Sequence, residues 1–260
     1  MQIEIDGLSF HVRLDGPETA PVLMLSNSLS SNLSMWDAQI EAFTRRWRVL
    51  RYDQRGHGGT EVSDRPVSFE RLADDAIAIL DALDIPKVHF CGVSMGGMTG
   101  MTLMTRHPKR IERAVLANTA ARMGPAELWN ARIRATREGG MEAVVDATIA
   151  RWFTEAFRAR APETVAAVRE MILSTPAAGY AACCAAIRDM DQREAIRAIR
   201  HPVLVIIGAH DPATTPQAGE IVHAAIRGSR AVTLDAAHLS NIEAPDAFDE
   251  AVTAFLSEKP

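Results

Sequence analysis

The segment from Val88 to Gly96 constrains the fold of this chain most strongly, because it predicts a strand, a very tight turn and a helix in immediate succession. The apolar run Val88-His89-Phe90-Cys91 is typical of a buried strand, and a helix-like stretch follows Gly96. Between them lies Gly92-Val93-Ser94-Met95-Gly96, with a glycine two positions on either side of the serine. Glycine at both positions lets a strained turn pack closely between strand and helix. We therefore predict an α/β architecture in which Ser94 stands at the end of a strand.

The same alternation of strand and helix continues along the chain. Helical spacing from Phe69 to Leu83, with Ser68 placed as N-cap, predicts a crossover helix between parallel strands, and a last helix is predicted from about Pro245 to Leu256. The predicted strands cover residues 9–14, 22–26, 48–52, 87–91, 112–118, 202–208 and 230–234. This order is typical of a mostly parallel central sheet flanked by helices.

Residues 122–197 interrupt the alternation with an almost wholly helix-like block, broken at residues 139–140, 162 and 176–179. A chain of 260 residues is long enough for one large core with a smaller inserted unit. We therefore predict a helical lid, residues 122–197, inserted into a core built from residues 1–121 and 198–260.

The composition excludes several classes of partner. With 47% hydrophobic and 23% charged residues the chain is typical of a globular protein, and its net charge of -5 gives no reason to expect nucleic acid. No apolar stretch approaches the roughly 20 residues of a membrane-spanning helix, and the N-terminus lacks the basic and apolar regions of a signal peptide. We expect a cytoplasmic protein with no membrane or nucleic-acid partner.

A serine hydroxyl is a poor nucleophile at neutral pH, so Ser94 needs a base and an acid that orients the base. The sequence offers a candidate for each. Asp211 follows the predicted strand that ends at Gly208, and His238 follows the next strand. Both loops should open at the sheet edge where α/β proteins place functional groups. The order Ser94, Asp211, His238 is that of a hydrolase triad in an α/β fold. We predict Ser94 as nucleophile, His238 as base and Asp211 as the acid that orients it.

Each of these assignments has an alternative. The elbow-like turn could be a chance match, and Asp211 followed by Pro212 is also a common way to begin a turn. His210 is a rival base, although it lies on the acid's own loop and so lacks the separation that a triad needs. The amide of Met95, at the start of the predicted helix, points to where an oxyanion would sit.

With these motifs together, the chain resembles the α/β-hydrolase superfamily from end to end and, within it, is similar to the 3-oxoadipate enol-lactonases. The segments that carry the closer resemblance are Leu25–Leu29 with Met35-Trp36, Leu50–Gly58, Ser94–Gly97, Arg110–Arg113 leading to Asn118–Arg122, Arg151–Thr154 and His238–Glu243. The resemblance implies hydrolysis of the enol-lactone of 3-oxoadipate through an acyl-enzyme, without a cofactor, in the breakdown of aromatic compounds.

The resemblance also implies roles for two loops. Many α/β-hydrolases carry His-Gly and then an oxyanion donor after the strand that corresponds to residues 22–26. Here Asn27-Ser28 stands in place of His-Gly, which makes the amide of Leu29 the second donor. Residues 53–59 resemble the Asp-x-Arg-Gly-x-Gly turn of the same superfamily, whose expected role is to shape the loop beneath the site, so His57 is not a predicted catalytic residue.

The predicted lid offers contacts for an anionic substrate. Residues 122–160 contain seven arginines, no lysine and five acidic residues, a net charge of +2 in a chain of net -5. Such a lid could attract a carboxylate-bearing lactone. We predict contacts from Arg132 and Arg134, which follow Trp129 on one helix, and an apolar slot lined by Trp129 and Trp152. The alternatives are arginines that only pair along a helix or meet solvent, and tryptophans that only pack in the core.

Two other functions remain open at this point. A broad carboxylesterase or a C–C bond hydrolase of the same fold would use the same triad, because the triad does not choose the substrate. A ligand-binding receptor built on a hydrolase fold is a more distant alternative. A dehalogenase of this fold is disfavoured, since it would need aspartate in place of Ser94.

Overall fold

Eight strands form one sheet within residues 1–258, the part of the chain that the computed structural model describes. The strands are β1 (Gln2–Ile5), β2 (Leu8–Asp15), β3 (Val22–Ser26), β4 (Arg48–Tyr52), β5 (Val88–Val93), β6 (Ile111–Ala117), β7 (Val203–Gly208) and β8 (Arg230–Leu234). Their order in the sheet is β1-β2-β4-β3-β5-β6-β7-β8. The pairs β1–β2 and β2–β4 are antiparallel, and every other neighbouring pair is parallel. The predicted α/β fold with a mostly parallel sheet is confirmed.

Strand β1 was not among the predicted strands. It forms a hairpin with β2 through a tight turn at Asp6 and Gly7, whose φ angles are +51° and +78°. Positive φ at both central residues is what a type I′ turn requires, and Asp-Gly is one of its preferred pairs. The Asp6-Gly7 pair, preceded by the alternating Ile3 and Ile5, carries the signal for this hairpin in the sequence.

Helices cover both faces of the sheet and fill the block between β6 and β7. They are α1 (Ile40–Thr44), α2 (Phe69–Ala82), α3 (Met95–Arg106), α4 (Ala126–Gly139), α5 (Glu142–Trp152), α6 (Glu155–Arg160), α7 (Pro162–Leu173), α8 (Ala177–Asp189), α9 (Pro216–Ala225), α10 (Ser240–Glu243) and α11 (Pro245–Leu256). The predicted crossover helix is α2, where the side chain of Ser68 accepts a hydrogen bond from the backbone N–H of Arg71 and so caps the first turn.

The middle of the sheet is the centre of the core. All six residues of β7 are buried, as are all residues of β5 except His89. Burial on both faces is expected of parallel strands that have helices on each side. The carboxyl ends of β5, β7 and β8 lie at one edge of the sheet, and Ser94, Asp211 and His238 follow these three ends. The sheet thereby brings residues that are far apart in the sequence to a single place.

Helices α4 to α8 occupy the predicted lid segment. α4 packs against α8 and α5, and α5 packs against α7. α4 ends at Gly139 because the next residue, Gly140, has a φ of +65° that a helix cannot continue. The division into an inserted lid and a core stays a prediction.

In the described part of the chain, no single helix is both long enough and apolar enough to cross a membrane. By length and composition alone, α7 and α8 together could form a broken span, with a 90° bend between them.

Candidate active site

The turn between β5 and α3 holds Ser94 in a strained backbone conformation, with a φ of +58°. The two flanking glycines make this turn possible. A Cβ on Gly92 would lie 2.4 Å from the carbonyl carbon of Gly96, and a Cβ on Gly96 would lie 2.0 Å from the carbonyl oxygen of Ser26. Both distances are far below van der Waals contact, so no larger residue fits at either position. The hydroxyl of Thr119 donates to the carbonyl of Ser94 at 2.8 Å and fixes the turn from the side of β6.

A hydrogen-bonded chain joins Ser94, His238 and Asp211. The Oγ of Ser94 lies 2.9 Å from Nε2 of His238, and Nδ1 of His238 lies 2.8 Å from Oδ2 of Asp211. All three residues are at least 93% buried. An ionised carboxylate can only accept, so Nδ1 of His238 carries the proton that it donates to Asp211, and Nε2 is left to accept the hydroxyl proton of Ser94. This is the arrangement of a nucleophile, a general base and an orienting acid.

Further donors surround the carboxylate of Asp211. Oδ1 accepts from the backbone N–H groups of Ala213 (2.8 Å) and Thr214 (3.0 Å). Oδ2 accepts from the hydroxyl of Thr214 (2.7 Å) and from Nδ2 of Asn118 (3.2 Å). Burial by itself would raise the pKa of Asp211, but the interactions with His238 and Thr214 outweigh it and hold the pKa below its usual range. Asp211 is therefore ionised at neutral pH and can orient the histidine.

His210, the rival base, lies apart from this chain. Its side chain is 55% exposed, and its Nε2 meets the carboxylate of Asp235 at 2.7 Å on the surface. His210 does not line the cavity that holds Ser94 and His238.

The loop after β3 carries the predicted donor Leu29 and lines the cavity in front of Ser94. Ser30 donates its backbone N–H to Nε2 of His57 at 3.1 Å, and Nδ1 of His57 donates to the carbonyl of Arg55 at 3.2 Å. Burial lowers the pKa of His57, so the ring is neutral at pH 7 and Nε2 can accept. His57 thus holds the loop next to Leu29 in place.

Met95 begins α3 directly after the nucleophile and is fully buried. Its backbone N–H belongs to the first turn of the helix, where amides have no partner within the helix itself. The amides of Leu29 and Met95 are therefore both placed near Ser94, and their role as oxyanion donors stays a prediction.

A small cavity of about 50 Å³ opens beside Ser94 and His238. The helical segment contributes Trp129, Arg132, Arg151 and Trp152 to its wall. The guanidinium carbon of Arg132 lies 4.5 Å from the centre of the Trp129 ring. The rings of Trp152 and His238 have their centres 6.5 Å apart. The cavity therefore combines aromatic surfaces with two cationic groups next to the nucleophile.

The two cavity arginines have no carboxylate partner among residues 1–258. Arg151 donates instead to the hydroxyl of Thr148 at 3.1 Å. Burial, and secondly the charge of Arg132, lower the pKa of Arg151 from its usual value. Two like charges held together in a cleft favour a bound anion.

A family model for the α/β hydrolase fold matches residues 21–245. The chain belongs to the α/β-hydrolase family. Among its curated relatives, 3-oxoadipate enol-lactonase 2 of Acinetobacter baylyi is 42% identical over 93% of this chain and 90% of the relative. 3-oxoadipate enol-lactonase 1 of the same organism is 38% identical over 96% of this chain and 94% of the relative.

The solved structure of the enol-lactonase from Burkholderia xenovorans LB400 aligns with a TM-score of 0.98 and 45% identity, covering 99% of this chain and 100% of the other. A hydrolase structure from Pseudomonas aeruginosa aligns with a TM-score of 0.96 and 45% identity, over 99% of this chain and 98% of the other. The likeness to each of these two structures thus covers 99% of this chain.

The two arginines predicted to contact the substrate lie on different faces of α4 in this α/β-hydrolase. Arg134 is exposed and does not line the cavity, whereas Arg132 does. Residues two apart on a helix are separated by about 200° around its axis, so the two side chains leave α4 on nearly opposite faces. Arg134 thus lies outside the cavity, and its contact with the substrate stays a prediction. Trp129 and Trp152 are both 4% exposed and line the cavity, so each also packs in the core.

Sequence reasoning missed other polar residues of this α/β-hydrolase cavity. Arg151 lies directly before Trp152 at the end of α5, but a single arginine in an arginine-rich segment carries no distinguishing signal. Thr214 touches both Asp211 and His238, with its Oγ1 3.3 Å from Nδ1 of the histidine. Its place three residues after the candidate acid is the signal that could have found it. Within the described ranges, no three His, Cys, Asp or Glu side chains gather as a metal site.

Proposed function

We propose that this chain hydrolyses the enol-lactone of 3-oxoadipate to 3-oxoadipate, with Ser94 as nucleophile, His238 as general base and acid, and Asp211 as the orienting carboxylate. The observation that carries the proposal is the hydrogen-bonded chain from Asp211 to Ser94. It ends in a cavity whose two arginines have no carboxylate partner in the described part of the chain. Relatives 38–42% identical to this chain are named for that activity.

In the acylation step, Ser94 attacks the carbonyl carbon of the lactone while its hydroxyl proton passes to Nε2 of His238. The distance of 2.9 Å between the two atoms suits this transfer. The carbonyl π electrons move to the oxygen, and the resulting oxyanion accepts hydrogen bonds from the backbone amides of Leu29 and Met95. The imidazolium that forms is stabilised by the adjacent carboxylate of Asp211.

Collapse of the tetrahedral intermediate restores the carbonyl and breaks its bond to the ring oxygen. The ring oxygen leaves as an enolate, which resonance stabilises. His238 returns its proton to this leaving group, which becomes a ketone, and the acyl group stays on Ser94. A leaving group of this kind needs less help from the general acid than an alkoxide does.

Water completes the cycle. His238 takes a proton from the water as its oxygen attacks the acyl carbon, and the second tetrahedral intermediate forms in the same oxyanion site. Its collapse breaks the bond to Ser94 Oγ, which recovers a proton from His238. The product leaves with a new carboxylic acid group, which releases its proton to solvent and becomes the second carboxylate of 3-oxoadipate.

The helical segment supplies the specificity in this proposal. Arg132 and Arg151 bind the substrate carboxylate by charge-assisted hydrogen bonds, and Trp129 and Trp152 cover the ring. A cavity of about 50 Å³ favours a compact substrate. We further propose that residues 122–197 act as a lid over the core, because eight of the residues that line the cavity come from that segment.

The experiment is the loss of ultraviolet absorbance of the enol-lactone when the purified protein is added. Wild-type protein should turn over the lactone many times and with a much higher kcat/KM than an aryl ester such as p-nitrophenyl acetate. The Ser94→Ala variant should lose nearly all turnover, on the order of 10⁶-fold as for other serine hydrolases, and keep its fold by circular dichroism.

Three results would contradict parts of this proposal. Equal or faster turnover of the aryl ester would identify a general carboxylesterase. A single turnover with a persistent adduct would favour a ligand-binding receptor. Full activity in Ser94→Ala would overturn the nucleophile assignment.

A further inference from the structure

Ser28 carries a buried hydroxyl that has no hydrogen-bond partner among residues 1–258. The residue is 1% exposed, and its Oγ meets no donor or acceptor among the residues that the structure describes. Ser28 lines the same cavity as Ser94 and His238. A buried hydroxyl without a partner is unfavourable in the free protein, because it has lost its hydrogen bonds to water without replacing them. At the wall of a cavity, such a group can recover a partner from water or from a bound ligand.

The backbone groups of Ser28 are already used. Its N–H donates to the sulfur of Met35 at 3.4 Å, and its carbonyl accepts from the hydroxyl of Ser31 at 2.7 Å. One residue further, the N–H of Ser30 is held by His57 at 3.1 Å. These bonds fix the backbone on both sides of Ser28. The backbone therefore cannot shift to bring the hydroxyl to a partner.

The buried hydroxyls of Ser26 and Ser31, on either side of Ser28, both have partners. Ser26 Oγ lies 3.0 Å from the hydroxyl of Tyr52 and accepts from Gln54 at 3.2 Å. Ser31 Oγ donates to the carbonyl of Ser28 and also lies 3.1 Å from the sulfur of Met35. The unpartnered state of Ser28 is therefore not a general property of the loop.

We propose that the Ser28 hydroxyl is a third donor to the oxyanion, next to the amides of Leu29 and Met95. The inference rests on the proposed function of Ser94 as nucleophile. Ser28 precedes Leu29 and lines the cavity in which the carbonyl of an ester must meet Ser94. Its proton stays on Ser28 throughout, so no bond to it breaks. A hydroxyl binds an oxyanion more strongly than a neutral carbonyl oxygen, so this contact stabilises the transition state more than the bound substrate.

The test compares Ser28→Ala with wild-type protein on both the enol-lactone and p-nitrophenyl acetate. Both substrates form an oxyanion, so the variant should lower kcat on both by at least about tenfold, with KM changed by less than about twofold. Phenylboronic acid, which forms a tetrahedral adduct with an active serine, should bind more weakly by a similar factor. The affinity for 3-oxoadipate should not change.

The melting temperature separates a catalytic hydroxyl from a structural one. Ser28→Ala removes an unpartnered buried polar group, so its melting temperature should equal or exceed that of wild-type protein. Ser34→Ala is the matched control, because Ser34 is an exposed serine a few residues further along the chain whose hydroxyl donates to Asn32. That control should keep wild-type kcat, KM and boronic acid affinity.

Three results would overturn the inference. One is an unchanged kcat on both substrates. Another is an equal loss of affinity for phenylboronic acid and for 3-oxoadipate, which would mean ground-state binding alone. The last is a loss of activity that parallels a fall in melting temperature. If wild-type protein hydrolyses only the aryl ester, the proposed substrate fails while the role of Ser28 is still measured on that ester.

Discussion

The carboxylate of Glu243 accepts a hydrogen bond of 2.9 Å from the backbone N–H of Ala237, the residue before His238. The same carboxylate accepts from the backbone N–H of Thr154 at 3.2 Å and from the Thr154 hydroxyl. On the other side of the histidine, Leu239 donates its N–H to the carbonyl of Trp152 at 3.2 Å. The loop of the candidate base is thus bonded directly to Trp152 at the end of α5 and, through Glu243, to Thr154 just after it.

Glu243→Gln should weaken both the fold and the reaction. The amide has only one acceptor oxygen, so a donor of Ala237 or Thr154 must lose its partner in a site that is 4% exposed. We expect the free energy of unfolding to fall by about 1–3 kcal/mol, and kcat to fall because His238 is held less firmly. Thermal melts, kcat and hydrogen exchange at the two amides measure this. Glu250→Gln, an exposed change on α11, is the control, and equal behaviour of the two variants would contradict the prediction.

Asp211→Asn should lower kcat by about 10⁴-fold with little change in fold. An asparagine can donate to Nδ1 of His238, which favours the tautomer with the proton on Nε2. That tautomer cannot accept the hydroxyl proton of Ser94. Steady-state kinetics with the lactone measure the effect. Asp235→Asn, which changes the partner of His210 on the surface, should leave kcat as in wild-type protein. A larger loss of kcat in Asp235→Asn than in Asp211→Asn would favour His210 as the base.

Arg151→Met should raise KM for the anionic lactone by about 10–100-fold, the effect of losing a hydrogen bond between charged groups. KM for the neutral p-nitrophenyl acetate should stay within about twofold, because that ester has no carboxylate to bind. Arg134→Met is the matched control, since Arg134 is an arginine of the same helical segment that faces solvent. An equal rise in KM for both substrates would show that Arg151 only shapes the cavity.

Asp249→Asn should stabilise the protein above pH 6 and have little effect below pH 4. Burial, opposed by a hydrogen bond from Gln39 and assisted by Asp246, raises the pKa of Asp249 to about 6. The unfolded chain has the ordinary value of about 3.9, so between these values the folded protein binds more protons and its stability falls as pH rises. Asparagine carries no titratable group, so the variant does not lose this stability as pH rises. Melting temperatures from pH 3.5 to 8 test it, and a constant difference between variant and wild type across that range would contradict it.

The sequence by itself determined the sheet and the convergence of the candidate triad. Local patterns of apolar residues and turn residues identified every strand except β1, and the glycines around Ser94 predicted the elbow. Carboxyl ends of parallel strands meet at one edge, so the loops after β5, β7 and β8 had to bring Ser94, Asp211 and His238 near one another. These features follow from periodicity and chain order, which a sequence records directly.

Only the tertiary structure decided which side chains of the helical segment face the site. Helical periodicity separates Arg132 from Arg134, but the packing of α4 on α8 determines which of the two faces the cavity. Arg151 joins Arg132 through the packing of α5 against α4. That the Ser28 hydroxyl has no partner among residues 1–258 likewise depends on distances to residues remote in sequence. Packing and hydrogen bonding across the fold are sums over many distant contacts, and local sequence patterns do not contain them.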